Sequence, residues 1–413
     1  MFEENSRRQN DHDSKCDCSL LKKIQRNFEV SMYSKNIILL KLSMRPLYLT
    51  ISISLYFILS YLYLNAFSLD WLGWYSQFLP VSHFFYPLAL DHAKAYYPNL
   101  IAMLFGANYS FRWGTGINDN GLSFVYFLLT KVFSLEINEV SIVYISYLFN
   151  SCVYLGAFRF LDKIFTEIFG FKIHPAFFFL NPAVIYYSQM MNKEPISLFL
   201  VFGSFYYFCK KRWIWMGICI LILSVVRVHY GCLLMLCFLG GFHIKKTHGI
   251  ALIYVILFLI VQNFIFRDQD YLFVDSQINL GFTSVVYFFN KELGIGSLIF
   301  AIPKVFQYFF DNVKSGFEFY NTGKLNLYYL KELPFAILFL WFIPVVIKVL
   351  LNYNVFLNRK NGDVLLFITT FVFIIALSPI VHSRYLFPIH YILLGYFFSY
   401  KRSCKVDREE TFS

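Results

Sequence analysis

The sequence predicts an all-α, polytopic integral membrane protein with about ten transmembrane helices and two large outer loops that carry interfacial helices. Of the 413 residues, 58% are hydrophobic and only 15% are charged, whereas soluble globular domains carry about a quarter charged residues. Several apolar runs approach the roughly 20 residues that a helix needs to cross the hydrocarbon core. These runs lack the strict alternation of barrel strands, so helices are the predicted spanning elements.

A basic tail precedes the first apolar run. Residues 1–46 contain nine Lys and Arg side chains. Because cytoplasmic flanks are enriched in these residues, this tail is predicted to lie in the cytoplasm. The apolar run Leu47–Phe67 then leads outward and begins a single transmembrane domain, residues 47–400. A second cytoplasmic tail, residues 401–413, follows that domain.

Two large loops are predicted on the outer side. The first covers residues 68–139 and is rich in Trp and Tyr, which favour the headgroup layer. We therefore expect its two apolar runs, 100–111 and 121–135, to lie along the membrane surface rather than across it. The second outer loop covers residues 267–332 and contains one semi-apolar piece, residues 293–310.

Basic residues mark the inner ends of the remaining predicted spans, so both termini are predicted to be cytoplasmic. Some of these spans are short, which implies tilt or local thinning of the bilayer. In chain order the spans are Val140–Phe158 inward, His174–Ser188 outward, Ile196–Phe208 inward, Trp213–Val226 outward, Gly231–Phe242 inward, Gly249–Phe266 outward, Leu333–Val349 inward, Val364–Val381 outward and Tyr385–Ser399 inward.

A short polar hinge, Gln189–Pro195, separates two of these apolar runs. In the predicted topology it is an outer hairpin tip that places the Glu194 carboxylate at the water boundary. Ionisable residues at membrane depth are costly and mark functional sites. Since Glu194 precedes Pro195, an N-cap or first-turn acid favoured by the helix dipole is an equally supported interpretation.

Ionisable side chains gather on the predicted outer side. Carboxylates can act as general bases or hold a divalent cation, and the planar fork of arginine suits phosphate or pyrophosphate. These residues can also have purely structural roles. The loop aspartate is then only solvated, the arginines snorkel at helix ends, and the histidines are only hydrogen-bonded. The residues concerned are Asp91 and His92, Lys193 and Glu194, Arg227 and His229, and His382 and Arg384.

Short motifs in this pattern resemble the GT-C superfamily of membrane glycosyltransferases and the bacterial O-antigen polymerases. The segment 90–102 is similar to a first-loop motif with an acidic residue followed by Tyr and Ala, and 116–133 looks like the segment leading to the second span. The motifs are LDHAKAYYPNLIA (90–102), GINDNGLSFVYFLLTKVF (116–133), NPAVIYYSQMMNKEPISLFL (181–200), VVRVHYGCLL (225–234) and HSRYLFPI (382–389).

The resemblance implies a multi-pass enzyme of the bacterial inner membrane with a periplasmic active site. Its donor would be a sugar linked to polyprenyl phosphate or diphosphate, and its acceptor a glycan. Asp91 matches the first-loop catalytic acid that deprotonates or orients the acceptor hydroxyl, and Glu194 matches a second acidic position. Arg227 and Arg384 would bind the lipid phosphate, with His92, Lys193, His229 and His382 nearby as substrate-binding residues.

The implied activity is assembly of surface polysaccharide, such as O-antigen or capsule, by a repeat-unit polymerase or a single-sugar transferase. The resemblance implies no required cofactor, with a divalent cation as an open possibility. Asp91-His92 stands where the family pattern has paired acids, and this departure argues against metal dependence. Partners would be membrane lipid and a chain-length regulator or other assembly proteins, with no nucleic acid. A transporter or flippase of lipid-linked oligosaccharide, and a non-catalytic scaffold, stay open as alternatives.

Overall fold

A computed structural model of the chain describes residues 45–65, 96–106, 115–133, 138–227, 230–235, 362–377 and 386–399, with a few isolated positions between 237 and 351. The chain forms two compact units, Met1–Leu55 and Tyr56–Ser413. In the first unit, the described residues are 45–55, and all of them are helical. The site described below lies within the second unit.

The described residues are mostly helical and include no strand, which confirms the predicted all-α class for that part of the chain. A π-helix, Ile164–Ile168, continues directly from the α-helix that ends at Lys163. The α-helices are α1 (Arg45–Tyr63), α2 (Tyr97–Phe105), α3 (Thr115–Phe133), α4 (Glu139–Lys163), α5 (Pro175–Phe179), α6 (Pro182–Tyr187), α7 (Glu194–Cys209), α8 (Trp213–Val226), α9 (Gly362–Leu377) and α10 (Leu386–Ser399).

Two helical segments in the described ranges are long and apolar enough to cross a membrane. They are Arg45–Tyr63 and Val140–Ile168, which correspond to the first two predicted spans. The second segment runs past its predicted end at Phe158, through the rest of α4 and the π-helix. The ten-span topology and the sidedness of the loops stay predictions.

The boundaries of several later helices agree with the sequence pattern. Helix α8 has the predicted limits, Trp213–Val226, and α7 and α10 differ from theirs by one or two residues. Within the predicted first outer loop, α3 is a continuous helix of 19 residues. The spans Gly249–Phe266 and Leu333–Val349 lie largely or wholly outside the described residues.

The prediction of one continuous spanning helix over His174–Ser188 is wrong. The structure has two helices there, α5 with five residues and α6 with six, and each is far too short to cross a bilayer. Proline at the first helical position favours a new start, because it has no backbone N–H to donate within a continuing helix. Asn181 completes the break, since its side chain accepts a hydrogen bond from the Ala183 N–H at 2.9 Å.

Helix α7 packs against both α4 and α8 and is largely buried along its length. Small residues permit this close packing. A Cβ at Gly203 of α7 would lie 3.3 Å from the Cys219 sulfur and 3.4 Å from the Phe160 ring. Helix α8 also packs against α3, where a Cβ at Gly121 would lie only 1.7 Å from the Val225 carbonyl oxygen.

Candidate functional site

The polar hinge between α6 and α7 is buried inside the protein. From Ser188 to Glu194 the most exposed side chain is Lys193, at 8%, and Glu194 is 3% exposed. The prediction that the hinge exposes the Glu194 carboxylate at a water boundary is therefore wrong. Other parts of the chain cover these polar groups, and the hinge forms part of the interior.

Amide side chains satisfy the backbone of this buried hinge. Asn150, in the middle of α4, donates from its side-chain nitrogen to the Met190 carbonyl at 2.8 Å and to the Ser188 carbonyl at 3.3 Å. Asn192 donates to the Tyr187 carbonyl at 3.1 Å. Because an unpaired buried carbonyl costs about 1–3 kcal/mol, these amides allow an irregular segment to remain in the interior.

The hinge ends in a buried ion pair. The Arg227 Nη2 donates to the Glu194 Oε1 at 2.5 Å, and the two side chains are 4% and 3% exposed. Glu194 is the first residue of α7, where the backbone N–H groups favour negative charge. The sequence predicts that an acid and an arginine gather in the same region. In the structure, Glu194 and Arg227 are in direct contact.

The structure also decides whether Glu194 is an N-cap residue or a first-turn acid. The N-cap position belongs to Lys193, and the Asn192 side chain accepts from the Glu194 backbone N–H at 3.2 Å. Glu194 is a first-turn acid, as the helix-dipole interpretation predicts, but its carboxylate also contacts Arg227. An N-cap role for its side chain is excluded.

Arg227 lies at a break in the helical chain. Its backbone N–H donates to the Leu223 carbonyl at the end of α8, and its carbonyl accepts from the N–H groups of Tyr230 and Gly231. The guanidinium carbon is 4.8 Å from the centre of the Tyr230 ring, within range of a cation–π interaction. A water-facing, snorkelling arginine is therefore not what the structure has at this position.

Lys193 supplies a second buried positive charge at the same hinge. Its ammonium lies 5.2 Å from the centre of the Tyr96 ring, next to the start of α2. The carbonyl of Tyr96 accepts a hydrogen bond from the hydroxyl of Ser123 in α3 at 3.0 Å. The hinge is thus joined through Lys193 and Tyr96 to the described part of the predicted first outer loop.

Three buried tyrosines lie near one another, and one of them, Tyr154, also interacts electrostatically with Glu194. The Tyr56 hydroxyl hydrogen-bonds the Ser151 hydroxyl at 3.0 Å, and the Tyr391 hydroxyl accepts from the Asn181 side chain at 2.9 Å. The hydroxyl of Tyr154 is close enough to interact electrostatically with Glu194 and with the other two tyrosines. These polar groups come from α1, α4, α7, α10 and the break between α5 and α6.

Five of the eight predicted site residues lie outside the described residues. The structure therefore brings together Lys193, Glu194 and Arg227 and leaves the others as predictions. Within the described ranges, no three His, Cys, Asp or Glu side chains form a group that could hold a metal ion. The residues outside the described part are Asp91, His92, His229, His382 and Arg384.

The amides and hydroxyls that shape this site were not among the site residues predicted from the sequence. A signal for them was present, because Asn150 and Ser151 interrupt the apolar run that became α4. Polar residues inside such runs mark interior contacts, since lipid offers no hydrogen-bond partners. Asn181, Gln189 and Asn192 belong to the same group of buried polar residues.

Chemically, the site combines a carboxylate, a guanidinium and phenolic hydroxyls in a water-poor interior. A carboxylate in such a place can accept a proton, and an arginine fork can bind two oxygens of a phosphate. Electrostatic interactions are stronger here than in water.

No protein-family model, no curated protein and no solved structure matches the chain.

Proposed function

We propose that this protein is an inner-membrane glycosyltransferase of bacterial surface polysaccharide assembly. It takes a sugar or oligosaccharide from a polyprenyl phosphate or diphosphate and transfers it to a glycan acceptor. The proposal covers a repeat-unit polymerase and a single-sugar transferase. Its active site lies on the periplasmic side of a chain with about ten spans and cytoplasmic termini.

The single observation that supports this proposal best is the buried contact between Glu194 and Arg227 at the hinge. A buried ion pair contributes little net stability, because desolvation of the two charges offsets much of their attraction. An apolar pair would hold α7 against the end of α8 at least as well. Transfer from a lipid phosphate needs a group that takes the proton of the acceptor hydroxyl and a cation that binds the phosphate. A carboxylate and an arginine supply these two functions.

In the proposed reaction, one of the two catalytic carboxylates, Asp91 or Glu194, acts as a general base and takes the proton of the acceptor hydroxyl. The acceptor oxygen forms a bond to the anomeric carbon of the donor sugar, and the bond from that carbon to the phosphate oxygen breaks. The polyprenyl phosphate or diphosphate leaves with the bonding electron pair. Arg227 and Arg384 bind the negative charge that develops on it.

The experiment is complementation of a strain that lacks the chain. Glu194→Gln and Arg227→Gln should abolish polysaccharide assembly when assembly is normalised to the amount of folded protein, as should Asp91→Asn and Arg384→Ala. Matched controls are Glu167→Gln and Arg212→Gln, because the Glu167 side chain is more than a third exposed and Arg212 is exposed at the N-cap of α8. The controls should retain assembly. Full-length polysaccharide in all four site variants would overturn the proposal.

The same strains separate the transferase from the transporter. Loss of a polymerase leaves single lipid-linked units on the outer face, where an added glycosidase or lectin can reach them. Loss of a flippase leaves those units on the inner face. A non-catalytic scaffold would tolerate the substitutions at Glu194 and Arg227 as long as the protein accumulates.

A further inference from the structure

The hydroxyl of Tyr154 is one of several buried side-chain polar atoms without a hydrogen-bond partner among the described residues. The side chain is fully buried, and its hydroxyl has no hydrogen-bond partner in the part of the chain that the structure describes. A buried hydroxyl without a partner costs about 1–3 kcal/mol relative to one that is paired. Phenylalanine would avoid this cost at the same position, so the hydroxyl needs a reason to be present.

The position of Tyr154 on α4 directs it toward the hinge. It follows Asn150 by four residues and Ser151 by three, so the three side chains share one face of the helix. Asn150 binds the hinge carbonyls, and Ser151 binds the Tyr56 hydroxyl. The Tyr154 hydroxyl is close enough to the Glu194 carboxylate to interact with it electrostatically, yet no hydrogen bond joins them.

The neighbouring polar groups already have partners. Glu194 binds Arg227, the Tyr56 hydroxyl binds Ser151, and the Tyr391 hydroxyl binds Asn181. The Tyr154 hydroxyl therefore supplies both a donor and an acceptor beside a carboxylate. Apolar rings border it, since the Phe178 ring meets the Tyr154 ring edge-on with a centroid distance of 6.0 Å.

We propose that Tyr154 is a substrate-binding residue whose hydroxyl binds a hydroxyl group of the carbohydrate acceptor next to Glu194. A sugar hydroxyl can donate to the carboxylate and accept from the phenol at the same time. The apolar rings suit the C–H faces of a sugar. This inference rests on the proposed function and adds to it a contact with the acceptor, distinct from the phosphate contact of Arg227.

The test uses the full-length protein in nanodiscs and two probes. The first is the oligosaccharide released from the lipid-linked precursor that accumulates in cells lacking the chain, and the second is a polyprenyl phosphate without sugar. Tyr154→Phe should weaken oligosaccharide binding about five- to tenfold, the effect of one lost neutral hydrogen bond. It should leave polyprenyl phosphate binding unchanged.

Tyr126→Phe is the matched control, because Tyr126 is equally buried but donates to the Asn150 side chain at 3.2 Å. Tyr126→Phe should lower the unfolding temperature, whereas Tyr154→Phe should leave it unchanged or raise it. A fall in the unfolding temperature of Tyr154→Phe equal to that of Tyr126→Phe would overturn the proposal, since the hydroxyl would then have a partner within the fold.

Failure of this inference can be told apart from failure of the proposed function. Wild-type oligosaccharide binding in Tyr154→Phe, with assembly lost in Glu194→Gln, would overturn the role of Tyr154 and leave the transferase standing. Normal assembly in Glu194→Gln, Arg227→Gln, Asp91→Asn and Arg384→Ala would overturn both. Weaker oligosaccharide binding in Tyr154→Phe, with normal stability and normal polyprenyl phosphate binding, would support the inference.

Discussion

The Arg227 guanidinium and the Glu194 carboxylate are in contact at 2.5 Å, although 33 residues separate them in the chain. The contact fixes the start of α7 against the end of α8, inside the protein. Neither side chain can reach water, so each charge depends on its protein neighbours. Removal of one partner therefore has consequences for stability as well as for function.

Arg227→Met should lower the free energy of unfolding by about 3–5 kcal/mol, because it leaves the Glu194 carboxylate buried without its cation. The double variant Glu194→Gln with Arg227→Met should regain a large part of that loss. Unfolding by SDS titration in mixed micelles measures both values. Effects of the two single substitutions that add to within about 0.5 kcal/mol would contradict direct coupling of the pair.

Asn150→Leu should destabilise the protein by about 2–3 kcal/mol, because two hinge carbonyls lose their donor. Proteolysis should also begin to cut between Ser188 and Glu194, a segment that is buried in the native protein. Cys152→Leu is the control, since Cys152 is exposed on the same helix. A hinge as resistant to protease as in the wild type would show that Asn150 does not hold it.

Gly121→Ala should destabilise the contact between α3 and α8, since the new Cβ would lie 1.7 Å from the Val225 carbonyl oxygen. The helices must move apart, at a cost of about 1–3 kcal/mol. Gly217→Ala provides the matched control in α8, where nothing lies within 4 Å of the new Cβ. It should be neutral or should stabilise the protein by up to about 1 kcal/mol, in accord with helix propensity. Equal melting temperatures for the two variants would rule out the close approach of these helices.

The helical class and the limits of α7, α8 and α10 could be predicted because long apolar runs bounded by basic residues allow few alternatives. The break between α5 and α6 could also have been read from the sequence, since Pro175 and the pair Asn181-Pro182 are local signals. The error came from giving the apolar character of His174–Ser188 priority over proline and asparagine.

The candidate site was only partly predictable for a different reason. Glu194 and Arg227 could be selected from charge and position alone, because ionisable groups at membrane depth are rare. Their contact and the burial of the hinge depend on how α4, α7 and α8 pack, and no local pattern encodes that. The role of Asn150 is likewise tertiary, since its partners lie 38 and 40 residues further along the chain.

Lys210 offers a test of a different kind, at the end of α7. Its ammonium lies 2.7 Å from the Glu167 carboxylate, and this hydrogen bond raises the pKa of Lys210 above its usual value. Because both side chains are more than a third exposed, the pair should contribute less than about 1 kcal/mol.

The sign of the pH dependence of this pair follows from the raised pKa. A raised lysine pKa gives stability that is fully present below the unfolded-state pKa of about 10.4 and is lost as pH rises through the folded-state value. Lys210→Met should therefore be slightly less stable than the wild type at pH 7, and the difference should shrink at strongly alkaline pH. A difference that grows with pH would contradict the pairing.

The most direct test of the central claim is transfer by the purified chain alone in proteoliposomes. The substrate is the radiolabelled lipid-linked oligosaccharide extracted from cells that lack the protein, and the measured quantity is polyprenyl phosphate or diphosphate released together with longer glycan. The wild type and Glu167→Gln should release it, and Glu194→Gln should not. Movement of intact lipid-linked oligosaccharide across the bilayer without any release, or equal release by Glu194→Gln, would contradict the account.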